Sequence, residues 1–529
     1  MNAKKDWRFG ILVCLSVIAV LAVNILAANK NYGLEGDEVF SYISATSMGG
    51  FHKICFLDDQ TWYNADYFEN ALEATGKECF NVKMVVDNQS MDTHPPLYYI
   101  FLNFVCSIFE GQFSKWYGIG LNLLFIIIVM AFMYFLLKEF IHNRYLAMIF
   151  STIFCCSQVS VSMVLFIRMY VLLMALTVLQ TWYHIKLIRN TAEEDTSGKG
   201  WWKKYIGLAV ITILGALTHY YFLVYTCLVS GIYILILLIE KKYKKIFQYI
   251  STMIISAGIY IVIYPAVLNH LFFKYRGREA VHKFLKGGTL FGDVISMLHI
   301  LDKQLFKGMF IPVIVVLGII TFVLLIKKKL EWRIVINGIL FIIPSIVYFF
   351  GISKASPYVT VIYISPIAPV IFIFIIVWGK EIINCLNMKL KYKKAVCILA
   401  VFLSACTSVY FGKEAIKDAS FAEKKTVMEK LAKEADDCVY ITADEYNWKM
   451  WEDYVYYPLF DGLFFIDGRY MNPIRDEKLL QQDSLAIFVD KALDMDEINN
   501  YLTQYLPEKE YSIVYETSYI TMIIAKGRD

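Results

Sequence analysis

The chain has 529 residues, of which 58% are hydrophobic, 16% aromatic and only 19% charged. A soluble domain carries about 25% charged residues, so a purely water-soluble enzyme is excluded, and a formal charge of +4 is too small to point to nucleic acid. Repeated apolar runs of about 17–25 residues, long enough to cross a bilayer, place the chain among polytopic α-helical membrane proteins.

Lys4, Lys5 and Arg8 precede an apolar run from about 11 to 28. Its length and the many runs that follow predict a retained first helix rather than a cleaved signal. A long polar loop then extends to about residue 92, opening with Asp37-Glu38 and closing with Asp92-Thr93-His94-Pro95-Pro96-Leu97-Tyr98. Cys55 and Cys79 both fall in it and either pair, if the loop is extracytoplasmic, or stay free thiols. Most of the other cysteines lie in apolar runs and read as small hydrophobes. Residues 96–109 are apolar but too few for a span, which predicts an interfacial or re-entrant helix.

Further apolar runs lie at roughly 117–137, 145–166, 169–188, 205–220, 222–239, 247–268, 308–326, 334–351, 358–378 and 395–411. With the first helix they predict about eleven transmembrane helices. Alternate connections hold the basic residues: Lys138 and Arg144; Arg189, Lys203 and Lys204; Lys241, Lys242, Lys244 and Lys245; Lys327 to Lys329 and Arg333; Lys389, Lys391, Lys393 and Lys394. The positive-inside rule puts these and the N-terminus in the cytoplasm, and the count agrees only if 96–109 does not span. The expected location is the plasma membrane, multi-pass, with the C-terminal part outside.

That tail changes composition. A charged helical stretch at 413–435 is followed by strand-like runs at 439–442, 463–466 and 485–489 and a terminal hairpin across 511–525. This predicts a small extracytoplasmic α/β domain at 412–529 after a transmembrane domain at 1–411, whose catalytic loop is about 29–95. Its aromatics Trp448, Trp451, Tyr454, Tyr456 and Tyr457 either stack on sugar faces or belong to the core and a membrane-facing surface.

No Asp or Glu occurs in the core of a predicted span, which argues against an ion-coupled carrier. The carboxylates sit instead in the expected outer segments. Asp37 and Glu38 suit a general base or oxygen ligands for a cation, against the reading of an ordinary acidic loop. His94-Pro95-Pro96 holds an imidazole in a rigid turn at the start of a helix. Arg168, between two apolar runs in Ile167-Arg168-Met169-Tyr170, suits phosphate oxygens or snorkels to the interface. Thr218-His219-Tyr220-Tyr221 marks another outer turn. Lys274, Arg276, Arg278, Lys283 and Lys286 cluster on the expected outer side, against the charge rule, as either a phosphate-handling loop or a lipid-facing one.

These marks resemble the C-type-fold membrane glycosyltransferases, most similarly the dolichyl-phosphate-mannose protein mannosyltransferases and their bacterial relatives. The resemblance rests on the acidic pair after the first helix, the D-x-H-P-P-L string at 92–97, Arg168-Met169-Tyr170 and His219-Tyr220, and covers about the first 220 residues. It implies transfer of one sugar from a polyprenyl-phosphate donor to an acceptor hydroxyl on the extracytoplasmic face, with inversion. It implies Asp37 as catalytic base with Glu38 as helper, and Arg168, Lys274, Arg276 and Arg278 as donor-phosphate contacts. His94, Tyr98, Tyr170, His219 and Tyr220 fall to acceptor or sugar binding. No cofactor is required, and a divalent metal on Asp37, Glu38 and His94 stays open because relatives differ in metal use. Many relatives carry an Arg-Tyr pair where this chain has Ile362-Tyr363, which shifts one phosphate contact to Lys354 or removes it. The acceptor is a protein, a wall polymer or a lipid glycan, and membrane lipids are the other partner. Two competing readings are a flippase of a polyprenyl-linked glycan, and a sensor using the C-terminal domain.

Overall fold

The computed structural model describes residues 6–527 apart from 32, 190–201, 274, 287–289, 307, 309, 328–331, 357, 387, 388, 390, 392–394 and 396–421. Its contacts divide the chain into two compact units. A helical unit takes Met1–Ala28, Asp92–Tyr98 and Ile119–Asp418. A sheet unit takes Asn29–Met91, Tyr99–Gly118 and Ala419–Asp529.

Among the described residues, six helices are long and apolar enough to cross a membrane: Trp7–Ala28, Lys115–Ile141, Tyr170–Arg189, Tyr220–Ile239, Tyr243–Ile263 and Ser365–Cys385. A further crossing is made if the pair Arg144–Cys155 and Gln158–Leu165, bent by 55°, counts as one span. This is a multi-pass membrane protein. The expected count of about eleven is reached only in part. Trp202–Ala216 has 15 residues, which at about 1.5 Å per residue fall short of a hydrocarbon core of about 30 Å, and Phe310–Ile326 with 17 stands at the lower limit. The run at 395–411 lies almost wholly outside the described residues. Leu97–Ile108 is a helix of 12 residues, too short to span, as the sequence predicts.

The bend after Cys155 has a local cause. Ser157 leaves the helical conformation and starts the next helix. The Phe154 carbonyl there accepts the Ser157 N–H at 2.9 Å and the Ser160 hydroxyl at 2.7 Å. A buried polar chain also ties the helices together. His184 Nε2 lies 2.8 Å from the Tyr249 hydroxyl, which donates to Ser230 Oγ at 2.7 Å, and the Thr181 and Tyr225 hydroxyls are 2.7 Å apart. Such bonds between apolar helices contribute about 1 kcal/mol each.

The sheet unit is built on six strands: β1 Thr61–Asn64, β2 Asp437–Thr442, β3 Gly462–Asp467, β4 Ser484–Asp490, β5 Lys509–Glu516 and β6 Ile520–Gly527. Their order is β1-β3-β2-β4-β6-β5. β2 runs parallel to β3 and β4, while β1, β6 and β5 are each antiparallel to their neighbours. β2 and β3 are buried along their whole length and β4 from its second residue, which is why they read as continuous apolar runs rather than alternating ones. Val439, Ile441, Phe464, Ile466, Ile487 and Val489 form the centre of the core. The edge strand β1 comes from the polar loop some 400 residues upstream in sequence. It is fixed by Gln60 N–H on Phe465 O at 2.8 Å, Asp467 N–H on Asp59 Oδ1 at 2.8 Å and the Trp62 indole on Asp476 at 3.0 Å.

Candidate functional site

In the sheet unit the helix Gly36–Thr46 carries the acidic pair in its first turn. Glu35 and Glu38 form a reciprocal cap, in which the Glu38 carboxylate accepts the Glu35 N–H at 2.7 Å. Glu38 is 2% exposed, so its carboxylate closes the helix start. Asp37, one residue earlier, points to solvent. The rest of the helix is buried. Gly36 sits so close to the Trp448–Leu459 segment that a Cβ there would lie 3.3 Å from Trp451 Cβ, which explains the glycine. The Glu35 carboxyl is crowded although part of the residue reaches solvent. Burial first, then the neighbouring Asp37 and Glu452, push its pKa up to about 7.

The helical unit gathers a second set of groups. Asp92 starts a tight turn: its Oδ2 accepts the His94 N–H at 3.2 Å and lies 2.7 Å from His94 Nδ1. Pro95 and Pro96 are buried and lock the turn before Leu97, whose N–H reaches Leu217 O at 2.9 Å. The Asp92 carboxylate is raised by burial, but His94 and Arg168 outweigh that and hold it below the ordinary range. It is therefore an anion that accepts from Nδ1–H and fixes the imidazole with Nε2 on the opposite edge.

Arg168 is 4% exposed and sits on the connection into Tyr170–Arg189. That connection is clamped by Asn122, whose amide donates to Val164 O at 3.1 Å and Phe166 O at 3.0 Å. The Asn122 carbonyl accepts the Tyr98 hydroxyl at 3.2 Å. His219 stands between Tyr170, with ring centroids 5.8 Å apart, and His94 at 6.2 Å. Its Nδ1 accepts the Tyr221 N–H at 3.0 Å. Burial, then His94 and Arg168, depress its pKa well below the usual value, so it is a neutral imidazole with the proton on Nε2. The Tyr220 hydroxyl lies 2.6 Å from His270 Nδ1, and Tyr264 donates to His94 O at 3.4 Å.

The structure thus brings His94, Tyr98, Arg168, Tyr170, His219 and Tyr220 into one cluster, and Asp37 and Glu38 onto one helix turn. Lys274 lies outside the described residues. Arg276 falls in the helix Tyr275–Lys286, and Arg278 in the same helix is exposed. Lys283 donates to Ser356 O at 2.8 Å. Ile362 lies on a turn whose Tyr363 ring meets Tyr221 at 5.6 Å. Cys55 and Cys79 are not joined in a disulfide. Among the described residues no group of three or more His, Cys, Asp or Glu side chains gathers as an ion would need, and the Glu38 carboxylate is already engaged by the cap.

Sequence reasoning missed His270, Tyr264 and Asn122. With only eight histidines in the chain, one placed five residues after Pro265 was the available signal for the first. Asn122 was legible as a polar residue inside an apolar run, a position that calls for a partner.

The chain is similar to the crystal structure of ArnT from Cupriavidus metallidurans bound to undecaprenyl phosphate. The identity is 11%, with 99% of this chain and 98% of that chain covered and a TM-score of 0.55. The same protein in the apo state gives 10% identity, 97% coverage of both chains and a TM-score of 0.53. The archaeal oligosaccharyltransferase AglB from Archaeoglobus fulgidus, in complex with an inhibitory peptide and a dolichol-phosphate, gives 10% identity, 99% and 74% coverage and a TM-score of 0.45. No family model and no curated relative matches the chain. At these identities the likeness shows the fold.

Proposed function

We propose that the protein is an integral-membrane glycosyltransferase that moves one sugar from a polyprenyl-phosphate donor to an acceptor hydroxyl on the extracytoplasmic face. The observation that carries this reading is the buried Arg168 held by the Asn122 clamp within reach of the Asp92–His94 turn and a neutral His219. A fixed guanidinium beside neutral donors suits a departing phosphate. ArnT, which shares the fold, was crystallised with undecaprenyl phosphate.

Asp37 supplies the base. Its carboxylate takes the proton of the acceptor hydroxyl as that oxygen bonds to the anomeric carbon. The bond from that carbon to the phosphate oxygen breaks on the opposite side, and its electron pair leaves with polyprenyl phosphate. Phosphate is a good leaving group, so no strong general acid is needed. Glu38 positions Asp37 through the helix cap. Arg168 and His94 receive the phosphate charge, with Lys274, Arg276 and Arg278 as further donor contacts. Tyr98, Tyr170, His219 and Tyr220 shape the pocket around the sugar. The protein sits in the plasma membrane with its N-terminus inside and the C-terminal domain outside.

The test is release of polyprenyl phosphate from a panel of polyprenyl-phosphate sugars by the purified protein, against Asp37→Asn. Turnover that falls at least ~100-fold in the variant identifies the donor and the base. Normal turnover in Asp37→Asn removes the base assignment and moves it to Glu38. No turnover with any donor, from a folded sample supplied with acceptors, moves the flippase reading ahead.

A further inference from the structure

The sheet unit exposes a row of aromatic rings beside the helix that carries Asp37. Phe51 and His52 stack at 4.3 Å, His52 and Phe56 at 5.4 Å. Phe56 meets Tyr446 at 6.0 Å, Tyr446 meets Trp448 at 6.0 Å, and Trp448 meets Trp451 at 4.7 Å. Trp451 in turn stacks on Phe40 at 5.7 Å, in the Asp37 helix. The row changes character along its length. Trp451 and Phe40 are core, whereas Phe56 is 54% exposed, Tyr446 39% and Trp448 47%. Three large rings left exposed forgo burial within the protein worth about 25 cal/mol per Å² in water, and contiguous patches of this kind mark binding surfaces.

The turn that displays them is built rigidly. Asp444 accepts the N–H groups of Tyr446 at 3.1 Å and Trp448 at 3.0 Å. Asn447 adopts φ +54°, a left-handed conformation that asparagine tolerates, and its buried amide donates to Cys55 O at 3.2 Å. The two ring-bearing segments are therefore pinned to each other, and the rings are preorganised.

The charges around the row decide its occupant. Asp444 and Glu445 flank the exposed end and Asp37 the buried end, where Glu452 is offset by Lys424 at 3.8 Å. Of the cations nearby, Lys424 is bound to Asp453 at 2.6 Å, Lys449 to Asp490 at 2.5 Å and Arg469 to Asp467 at 2.6 Å, Lys53 donates to Ser47 Oγ at 3.2 Å, and His52 lies within the stack. An acidic rim repels phosphate headgroups and other polyanions. It accepts hydrogen bonds from hydroxyl groups, and the apolar C–H faces of sugar rings pack on aromatic rings.

We infer that Phe56, Tyr446 and Trp448 form a stacking platform for a neutral saccharide, and that this saccharide is the acceptor of the transfer reaction. The acceptor role rests on the glycosyltransferase reading; the binding of saccharide does not. The platform leads along Trp451 and Phe40 to the helix turn of Asp37, so a glycan lying on it presents a hydroxyl to that carboxylate. Of the three acceptor classes open from the sequence, this favours a glycan over a protein serine or threonine.

The experiment is saturation-transfer NMR on the full chain in nanodiscs, with maltohexaose, mannohexaose and N-acetylchitohexaose as probes. Saturable binding of at least one is expected, weakened about tenfold by Trp448→Ala and by Tyr446→Ala. Both positions are on the surface, and gel filtration of each variant checks that it stays folded. Absence of binding to all three probes, or equal binding by both variants, overturns the proposal. Quenching by dibromo-phosphatidylcholine supplies the competing outcome: if wild type is quenched more than Trp448→Phe, the rings lie in lipid and the platform is a membrane anchor. Saccharide binding without Asp37-dependent release of polyprenyl phosphate would leave the platform standing and remove the enzyme reading.

Discussion

The Asp92 carboxylate and the His94 ring meet at 2.7 Å across a turn of two residues, and two buried prolines hold that turn in place. The pair explains why this loop ends in Asp-x-His-Pro-Pro. The carboxylate selects the tautomer, and the prolines fix where the ring stands. Asp92→Asn keeps the shape and removes the charge. We expect donor turnover to fall at least ~10-fold with the thermal unfolding midpoint in detergent close to that of wild type. A loss of turnover matched by a lowered midpoint would reduce Asp92 to a structural turn residue.

Arg168 is buried on a connection clamped by Asn122. Arg168→Lys keeps the charge and loses the planar fork. The expected result is a donor KM raised about 10–100-fold with kcat at saturating donor largely kept. The reverse split, an unchanged KM with a lowered kcat, would place Arg168 in the chemical step rather than in ground-state binding.

Asn122 makes three hydrogen bonds that join Tyr98 to the segment before Arg168. Asn122→Ala removes one acceptor of the Tyr98 hydroxyl and one donor to each of the Val164 and Phe166 carbonyls, at a cost of about 1–3 kcal/mol. Thermal unfolding in detergent should show a lowered midpoint together with a raised donor KM. A lowered midpoint with an unchanged KM would detach the clamp from Arg168.

Glu35 gives a pH-dependent stability. Its folded pKa, pushed up to about 7 from 4.5, means that the folded chain holds a proton that the unfolded chain has lost between those values. Stability therefore falls as pH rises through that window and is level above it. Glu35→Gln keeps the cap acceptor and removes the proton, so the slope of the midpoint between about pH 4.5 and 7 should be shallower than in wild type. Parallel slopes would show that Glu35 ionises freely in the fold.

The membrane class, the first helix, the short helix at 97–108 and strands β2 to β6 are all legible in the sequence, because hydropathy, run length and turn residues act within a few neighbours. The same holds for the His94-Pro95-Pro96 turn and for Arg168 as a charge between apolar runs. Which of these residues meet is a different matter. Arg168, His219, His270 and His94 come from four separated segments, and no local pattern ties Tyr220 to His270. The segment up to about residue 92 reads as a long polar loop, yet Thr61–Asn64 closes the edge of a sheet whose other strands begin at residue 437. A strand of four residues is specified by the free edge it completes, and that edge exists only after β3 has folded beside β2. The run at 145–166 reads as one span, but the structure breaks it at Ser157, where the helix direction changes by 55°. Local chemistry settles what each segment is. Pairing over hundreds of residues, set by registers and buried polar partners that exist only in the assembled fold, settles what it touches.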